Sequence, residues 1–191
     1  MGNLRSVQKA LEKAGAQAEI TQSPEDILKA DKVVLPGVGA IRPAMEKLRD
    51  LDMVPAIRET IAKNKPFLGI CLGLQLLFER SDEGGMVEAL GILPGTVDRF
   101  SSLKVPQMGW NSLKIRQAEC SLFSGLKNDT YVYFCHSYFV NPAEKAVMAT
   151  STNYGVDFTS SICKGNLFGV QFHPEKSQAA GIKILENFVR L

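Results

Sequence analysis

Phe67-Leu68-Gly69-Ile70-Cys71-Leu72-Gly73-Leu74-Gln75 is the stretch on which the fold turns. The apolar run that opens it, directly after Pro66, has the length and composition of a buried strand. Gly69 and Gly73 bracket Cys71 in the pattern G-x-C-x-G, and residues 74–80 have a helical composition. A strand that passes straight into a helix through small residues exposes the side chain at the turn, which is the cysteine form of the nucleophile elbow. The positive end of the helix that follows would favour thiolate over thiol. Most free cysteines are small buried hydrophobes, so the elbow needs a base before it reads as chemistry.

Upstream of this stretch, Leu4, Val7, Leu11 and Ala14 recur at helical spacing, and Gly15 supplies a stop. Ser23-Pro24-Glu25-Asp26 has the cap, first-turn proline and acidic first turn of a short helix. Val33-Val34-Leu35 then forms a strand that ends at Pro36-Gly37, and residues 42–63 are helical in composition with an interruption at Pro55. Alternation of this kind predicts parallel βαβ units with helices on both faces. Beyond Gly84-Gly85 the pattern becomes β-rich, with strands expected near 96–100, 131–140, 147–150 and 167–172. Ser177 caps a last helix in which Ile182, Leu185 and Val189 share a face. The expected fold class is α/β, a central, mostly parallel mixed sheet with helices on both faces and a small antiparallel ribbon at its side.

A chain of 191 residues that is 45% hydrophobic suits one domain, 1–191, better than two. The net charge is +2, from 22 basic and 20 acidic residues spread along the sequence, so no basic patch points to nucleic acid or an anionic membrane. With no spanning-length apolar run and a polar start at Met1-Gly2-Asn3-Leu4-Arg5, a cytoplasmic protein is expected. Its 4 cysteines, Cys71, Cys120, Cys135 and Cys163, form no CxxC pair, so neither a metal site nor a disulfide framework is expected.

The 2 histidines are His136 and His173. His173 stands in Gln171-Phe172-His173-Pro174-Glu175 after a strand-like run, and a two-residue step at a strand end brings His173 and Glu175 to one face. Glu175 can then hold one ring nitrogen while the other faces Cys71, a triad with a carboxylate as orienter. The strand end alone would read as a solvated turn, and only the pairing with the elbow makes it a triad. An oxyanion would find its first donor in the backbone N–H of Leu72. A second could come from Pro36-Gly37-Val38-Gly39, where glycines let backbone N–H groups approach a ligand.

With these motifs in this order, the chain resembles the class I (triad) glutamine amidotransferases. Pro36-Gly37-Val38-Gly39 looks like their oxyanion strand, Gly69 to Gln75 like their nucleophile motif, and Phe172-His173-Pro174-Glu175 like their His-x-Glu motif. Within the family it is most similar to the HisH-type glutaminase subunits of imidazole glycerol phosphate synthase. That similarity rests on Leu76 to Ser81, on Lys104-Val105-Pro106-Gln107-Met108-Gly109-Trp110-Asn111, on Tyr133-Phe134-Cys135-His136-Ser137-Tyr138, and on Lys176-Ser177 after the His-x-Glu motif.

The resemblance implies glutamine as substrate, no cofactor, and ammonia channelled to a HisF-type (β/α)8-barrel cyclase in a heterodimer. It implies that Gln75 contacts bound glutamine with Gly39 and the Ser137-Tyr138 backbone nearby, and that Asn3, Trp110, Tyr133 and Lys176 face the partner. His136 would sit beside the site without being the base. It also implies an opening strand of roughly eight residues ahead of Met1-Gly2-Asn3, which this chain lacks. Two other readings are a triad amidotransferase serving anthranilate, GMP, carbamoyl phosphate or pyridoxal phosphate synthesis, which Gly109-Trp110-Asn111 disfavours, and a non-hydrolytic subunit, which the intact Cys71, His173 and Glu175 disfavour. A stand-alone cysteine peptidase lacks any pocket signature for a peptide.

Overall fold

The computed structural model describes residues 4–101 and 103–191. Among them α1 (Leu4–Lys13) is followed by α2 (Pro24–Lys29), β1 (Val33–Gly37), α3 (Ile41–Asp50), α4 (Met53–Ala62), β2 (Phe67–Cys71) and the single turn α5 (Leu72–Gln75). Two short strands, β3 (Arg80–Ser81) and β4 (Val87–Glu88), lead to β5 (Gly95–Arg99), β6 (Gln107–Ile115), β7 (Thr130–His136) and β8 (Tyr138–Pro142). The chain closes with β9 (Met148–Tyr154), β10 (Val156–Lys164), β11 (Leu167–Val170) and α6 (Gln178–Val189).

The main sheet runs β1-β2-β11-β10-β8-β5-β3-β4, with β9 also on β10 and with β6 paired to both β7 and β9. β1, β2 and β11 are parallel, and β2 sits between the other two. All five residues of β2 are buried, as a parallel strand covered on both faces requires. Its side chains alternate between two cores: Phe67 joins Ile41, Met45 and Ile57 beneath α3 and α4, while Leu68 and Ile70 join Val7, Leu11, Ile184 and Phe188 beneath α1 and α6. Helices thus cover both faces, and β6 and β7 form the side ribbon. On the outer side of β1 lies a groove of about 990 Å³, walled by residues of α1 and of the extended segment 16–22 and reaching Gly37 and Leu72 at one end.

Five sequence expectations need correction. The break within residues 42–63 falls at Asp52, which takes the left-handed conformation at φ 51°, and Pro55 lies inside the first turn of α4, where its missing N–H costs nothing. The helix expected over 74–80 stops after one turn. There the carbonyls of Leu76, Leu77 and Phe78 accept from the N–H groups of Leu90, Ile92, Leu93 and Gly91, so a loop takes the acceptors that a longer helix would use. β6 and β10 were not expected as strands. The buried face of α6 is Gly181, Ile184, Leu185 and Phe188, with Ile182 and Val189 at its margin. The cap expected of Ser177 is also absent as such. Its hydroxyl donates to His173 O at 2.7 Å and accepts from Tyr133 N–H at 2.9 Å, tying the strand end before α6 to β7.

Candidate active site

Parallel strands bring the sequence motifs together at their carboxyl ends, where open α/β sheets place their ligands. Gly37 and Cys71 are register partners on β1 and β2, and Val170 of β11 lies opposite Ile70, so Gln171, Phe172 and His173 leave the sheet beside Cys71. Cys71 is the residue before α5 and has φ 54° and ψ −106°. A non-glycine residue there is strained by about 1–3 kcal/mol, a cost borne where the surroundings over-determine the backbone. The constraint is visible: a Cβ on Gly69 would lie 2.7 Å from the Gly73 carbonyl carbon, and one on Gly73 would lie 1.8 Å from Leu35 O. The turn closes only with hydrogen at both positions.

The His173 backbone N–H donates to Tyr133 O at 2.9 Å, which anchors the strand end. The ring contacts Glu175 through Nδ1 at 2.8 Å, and both side chains are almost wholly buried. Its second nitrogen is left for Cys71, which together with Glu175 favours the charged ring. Burial opposes the imidazolium, but the hydrogen bonds to Cys71 and Glu175 and the charges on both prevail, so the pKa of His173 is raised from 6.5 to about 10. The imidazolium therefore persists through neutral pH. Any stability it contributes is complete below the ordinary 6.5 and is lost as pH rises through about 10. In an NMR titration the ring protons of His173 should move near pH 10, and at lower pH in Glu175→Gln; a wild-type midpoint close to 6.5 would show that the ring is not held in this pair.

His136 is placed differently. Its Nδ1 contacts Tyr138 O at 2.7 Å, the ring packs 5.4 Å from Phe100 and Phe158, and burial pushes its pKa down to about 4. It stays neutral and holds the β7–β8 corner, where Ser137 O accepts from Phe100 N–H at 3.1 Å. On the opposite wall Val38 and Gly39 are exposed, Gly39 has φ 95°, and nothing lies within 4 Å of its Cβ position. Their loop is held from behind by Glu83, whose carboxylate accepts from Ile41 N–H at 2.8 Å at the start of α3. Leu72 and Gln75 are buried in α5, and Gln75 Nε2 donates to Tyr138 O at 3.0 Å. Sequence reasoning left out Gln171, which is fully buried with its Nε2 3.7 Å from Cys71 Sγ.

The β6–β7 ribbon has one buried face, with Leu113, Val132 and Phe134, and one open face. Trp110 opposes Tyr133 across the ribbon, with ring centroids 6.1 Å apart, and Lys176 Nζ lies 5.7 Å from the Tyr133 ring centroid. The structure adds Met108 and Tyr131 to that face, 65% and 60% exposed beside Trp110 at 46%. Asn3, expected on the same face, lies outside the described residues.

A profile of the family "Glutamine amidotransferase class-I" matches residues 1–191. The imidazole glycerol phosphate synthase subunit HisH of Rhodopirellula baltica is 48% identical, over 98% of this chain and 92% of that protein. The subunit of the same name from a Cyanothece species is 52% identical, over 99% of this chain and 91% of its own length. Among solved structures, a glutamine amidotransferase superposes with a TM-score of 0.77 at 17% identity, covering 99% of this chain and 93% of the other. That last likeness concerns the fold.

Proposed function

This chain belongs to the class-I glutamine amidotransferases, and from that premise we propose that Cys71, His173 and Glu175 hydrolyse glutamine for an imidazole glycerol phosphate synthase, as the subunit its relatives are named for. The observation that carries the residue assignment is the buried His173–Glu175 pair, in contact at 2.8 Å at the strand end that leaves the sheet beside Cys71. In this reading the sulfur attacks the side-chain amide carbon of glutamine, and the oxyanion meets the backbone N–H groups of Leu72 and of the Val38-Gly39 loop. The His173 imidazolium protonates the departing nitrogen and releases ammonia. Water, deprotonated by the now neutral His173, then opens the thioester to glutamate and returns the sulfur.

The same reading takes residues 1–191 as one domain and the cytoplasm as its location; among the described residues no helix is long and apolar enough to cross a membrane. It makes the partner a (β/α)8-barrel cyclase of the HisF type, seated on the open face of β6–β7, to which the ammonia passes. Two features support that placement. Met108, Trp110 and Tyr131 are large apolar groups exposed side by side, the composition of an interface centre. Tyr133 of that ribbon also accepts the His173 backbone N–H, so a body pressing on the ribbon bears directly on the base. Exposure of the Val38-Gly39 loop fits an oxyanion donor that the partner brings into line, a shift between populated states.

The test is ammonia release from glutamine with and without the cyclase subunit and its ligand. Release should rise on the order of a hundredfold with the cyclase, as when a competent state goes from about one per cent to nearly all. Trp110→Ala should raise the cyclase concentration giving half that effect by about 30-fold, equivalent to ~2 kcal/mol of hot-spot contact. Ammonia release indifferent to the cyclase would sink the subunit reading.

A further inference from the structure

Gln171 follows β11 directly, its backbone N–H donates to Ser160 O at 2.9 Å, and it has no exposed surface. A buried amide must satisfy both of its ends, and the contacts of this one form a chain. Gln75 Nε2 donates to Tyr138 O at 3.0 Å and to Gln171 Oε1 at 3.2 Å, and Gln171 Nε2 reaches Cys71 Sγ at 3.7 Å.

The polarity of the chain follows from its fixed end. A backbone carbonyl can only accept, so Gln75 must turn its NH2 toward Tyr138. Its second N–H then has the Gln171 oxygen to meet, which leaves the Gln171 NH2 facing the sulfur. Both glutamine orientations are thus set by the fold.

We propose that Gln171 is a catalytic hydrogen-bond donor to the Cys71 sulfur and that Gln75 is the positioning residue that fixes its orientation, an inference that rests on reading Cys71 as the nucleophile. Two donors then meet the sulfur. His173 can exchange a proton with it, whereas the amide of Gln171 cannot protonate it at any pH of interest. That difference matters because the sulfur carries negative charge twice, before it attacks and again when the thioester is opened and it departs. A donor that cannot protonate the sulfur stabilises it at both moments and leaves the His173 proton for ammonia. Both N–H groups of Gln75 are committed to this chain, so its contact with bound glutamine is made through Oε1.

The experiment follows the pH dependence of iodoacetamide alkylation at Cys71, read by peptide mass, in wild type, Gln171→Met, Gln171→Glu and Gln75→Met. Loss of one hydrogen bond to a charged sulfur should move the alkylation midpoint of Gln171→Met up by about one unit. Gln171→Glu, which offers an acceptor to the thiolate, should move it further. Gln75→Met should shift it in the same direction and add nothing in the Gln171→Met background, the sign of two residues acting through one link. In the complex with the cyclase, kcat of Gln171→Met should fall about tenfold, matching the one-unit shift, with KM little changed.

An unchanged midpoint in folded Gln171→Met overturns the inference. Additive shifts in the double variant overturn the part played by Gln75. If Gln171→Met does not fold, Gln171→Asn, whose amide is one methylene too short to reach the sulfur, carries the same test. Retention of glutaminase activity in Cys71→Ala would instead overturn the nucleophile assignment, whatever the alkylation midpoints show.

Discussion

Cys71→Ala should reduce glutamine hydrolysis by the cyclase complex by about 10⁴-fold or more, with the partner still bound. The size follows from the pathway proposed above. Without sulfur there is no thioester, and what remains is the help that backbone donors and substrate positioning give to a direct attack by water, a small remnant wherever nucleophile and base act as a unit. Partner binding should persist because Cys71 is buried at the start of α5 and the open face of the β6–β7 ribbon does not include it. A deficit below about tenfold would remove the thioester mechanism, since such a loss is worth only ~1.4 kcal/mol of barrier. Cys71→Gly is the useful companion. At φ 54° and ψ −106° alanine retains the backbone strain of cysteine, whereas glycine relaxes it. Cys71→Gly should therefore be equally inactive yet more resistant to denaturant than Cys71→Ala by about 1 kcal/mol or more. That ordering would show that the elbow is held strained for the sake of the side chain it presents.

What could be read from the sequence was whatever acts within a few residues. The strand before Cys71, the cap at Ser23 with its 3.4 Å bond to Asp26 N–H, and the two-residue step from His173 to Glu175 are local patterns with local causes. What could not be read depends on distant partners. The helix does not run on past Gln75 because residues 90–93 take the carbonyls of Leu76, Leu77 and Phe78, and nothing in residues 74–80 announces that competition. β10 escaped notice because its polar residues Thr159, Ser160 and Ser161 are buried; Ser160 and Ser161 both meet Thr150 Oγ1, at 2.8 and 2.7 Å, so the alternation that marks a strand is masked by polar groups satisfied inside the sheet. Gln171 was in plain view two residues before His173, yet a glutamine at a strand end means nothing until Gln75, 96 positions away, supplies its partner. The open face of β6–β7 was half legible: Trp110 stood out as the chain's 1 tryptophan, while Met108 and Tyr131 acquire meaning only from the register that lines them up on one side.

Gly73→Ala should destabilise the protein by about 4 kcal/mol or more, the large end of single-substitution effects, and leave much of it unfolded at 37 °C. The added Cβ would stand 1.8 Å from Leu35 O and 2.9 Å from Leu35 C. Both are backbone atoms of β1, a strand held in parallel register to β2 from Val33 to Gly37. No side chain can rotate out of the way, so either β1 parts from β2 or α5 lifts off the sheet, carrying Leu72 and Cys71 with it. Gly39→Ala separates this clash from the ordinary cost of replacing a glycine. Gly39 has φ 95° but nothing within 4 Å of its Cβ position, so its cost is conformational alone, about 1–2 kcal/mol. Chemical denaturation of the two variants beside wild type should place Gly73→Ala well below Gly39→Ala. If the two midpoints coincide, the elbow is not packed against β1 as tightly as the 1.8 Å contact requires, and the argument that close backbone packing holds Cys71 in its strained conformation fails with it.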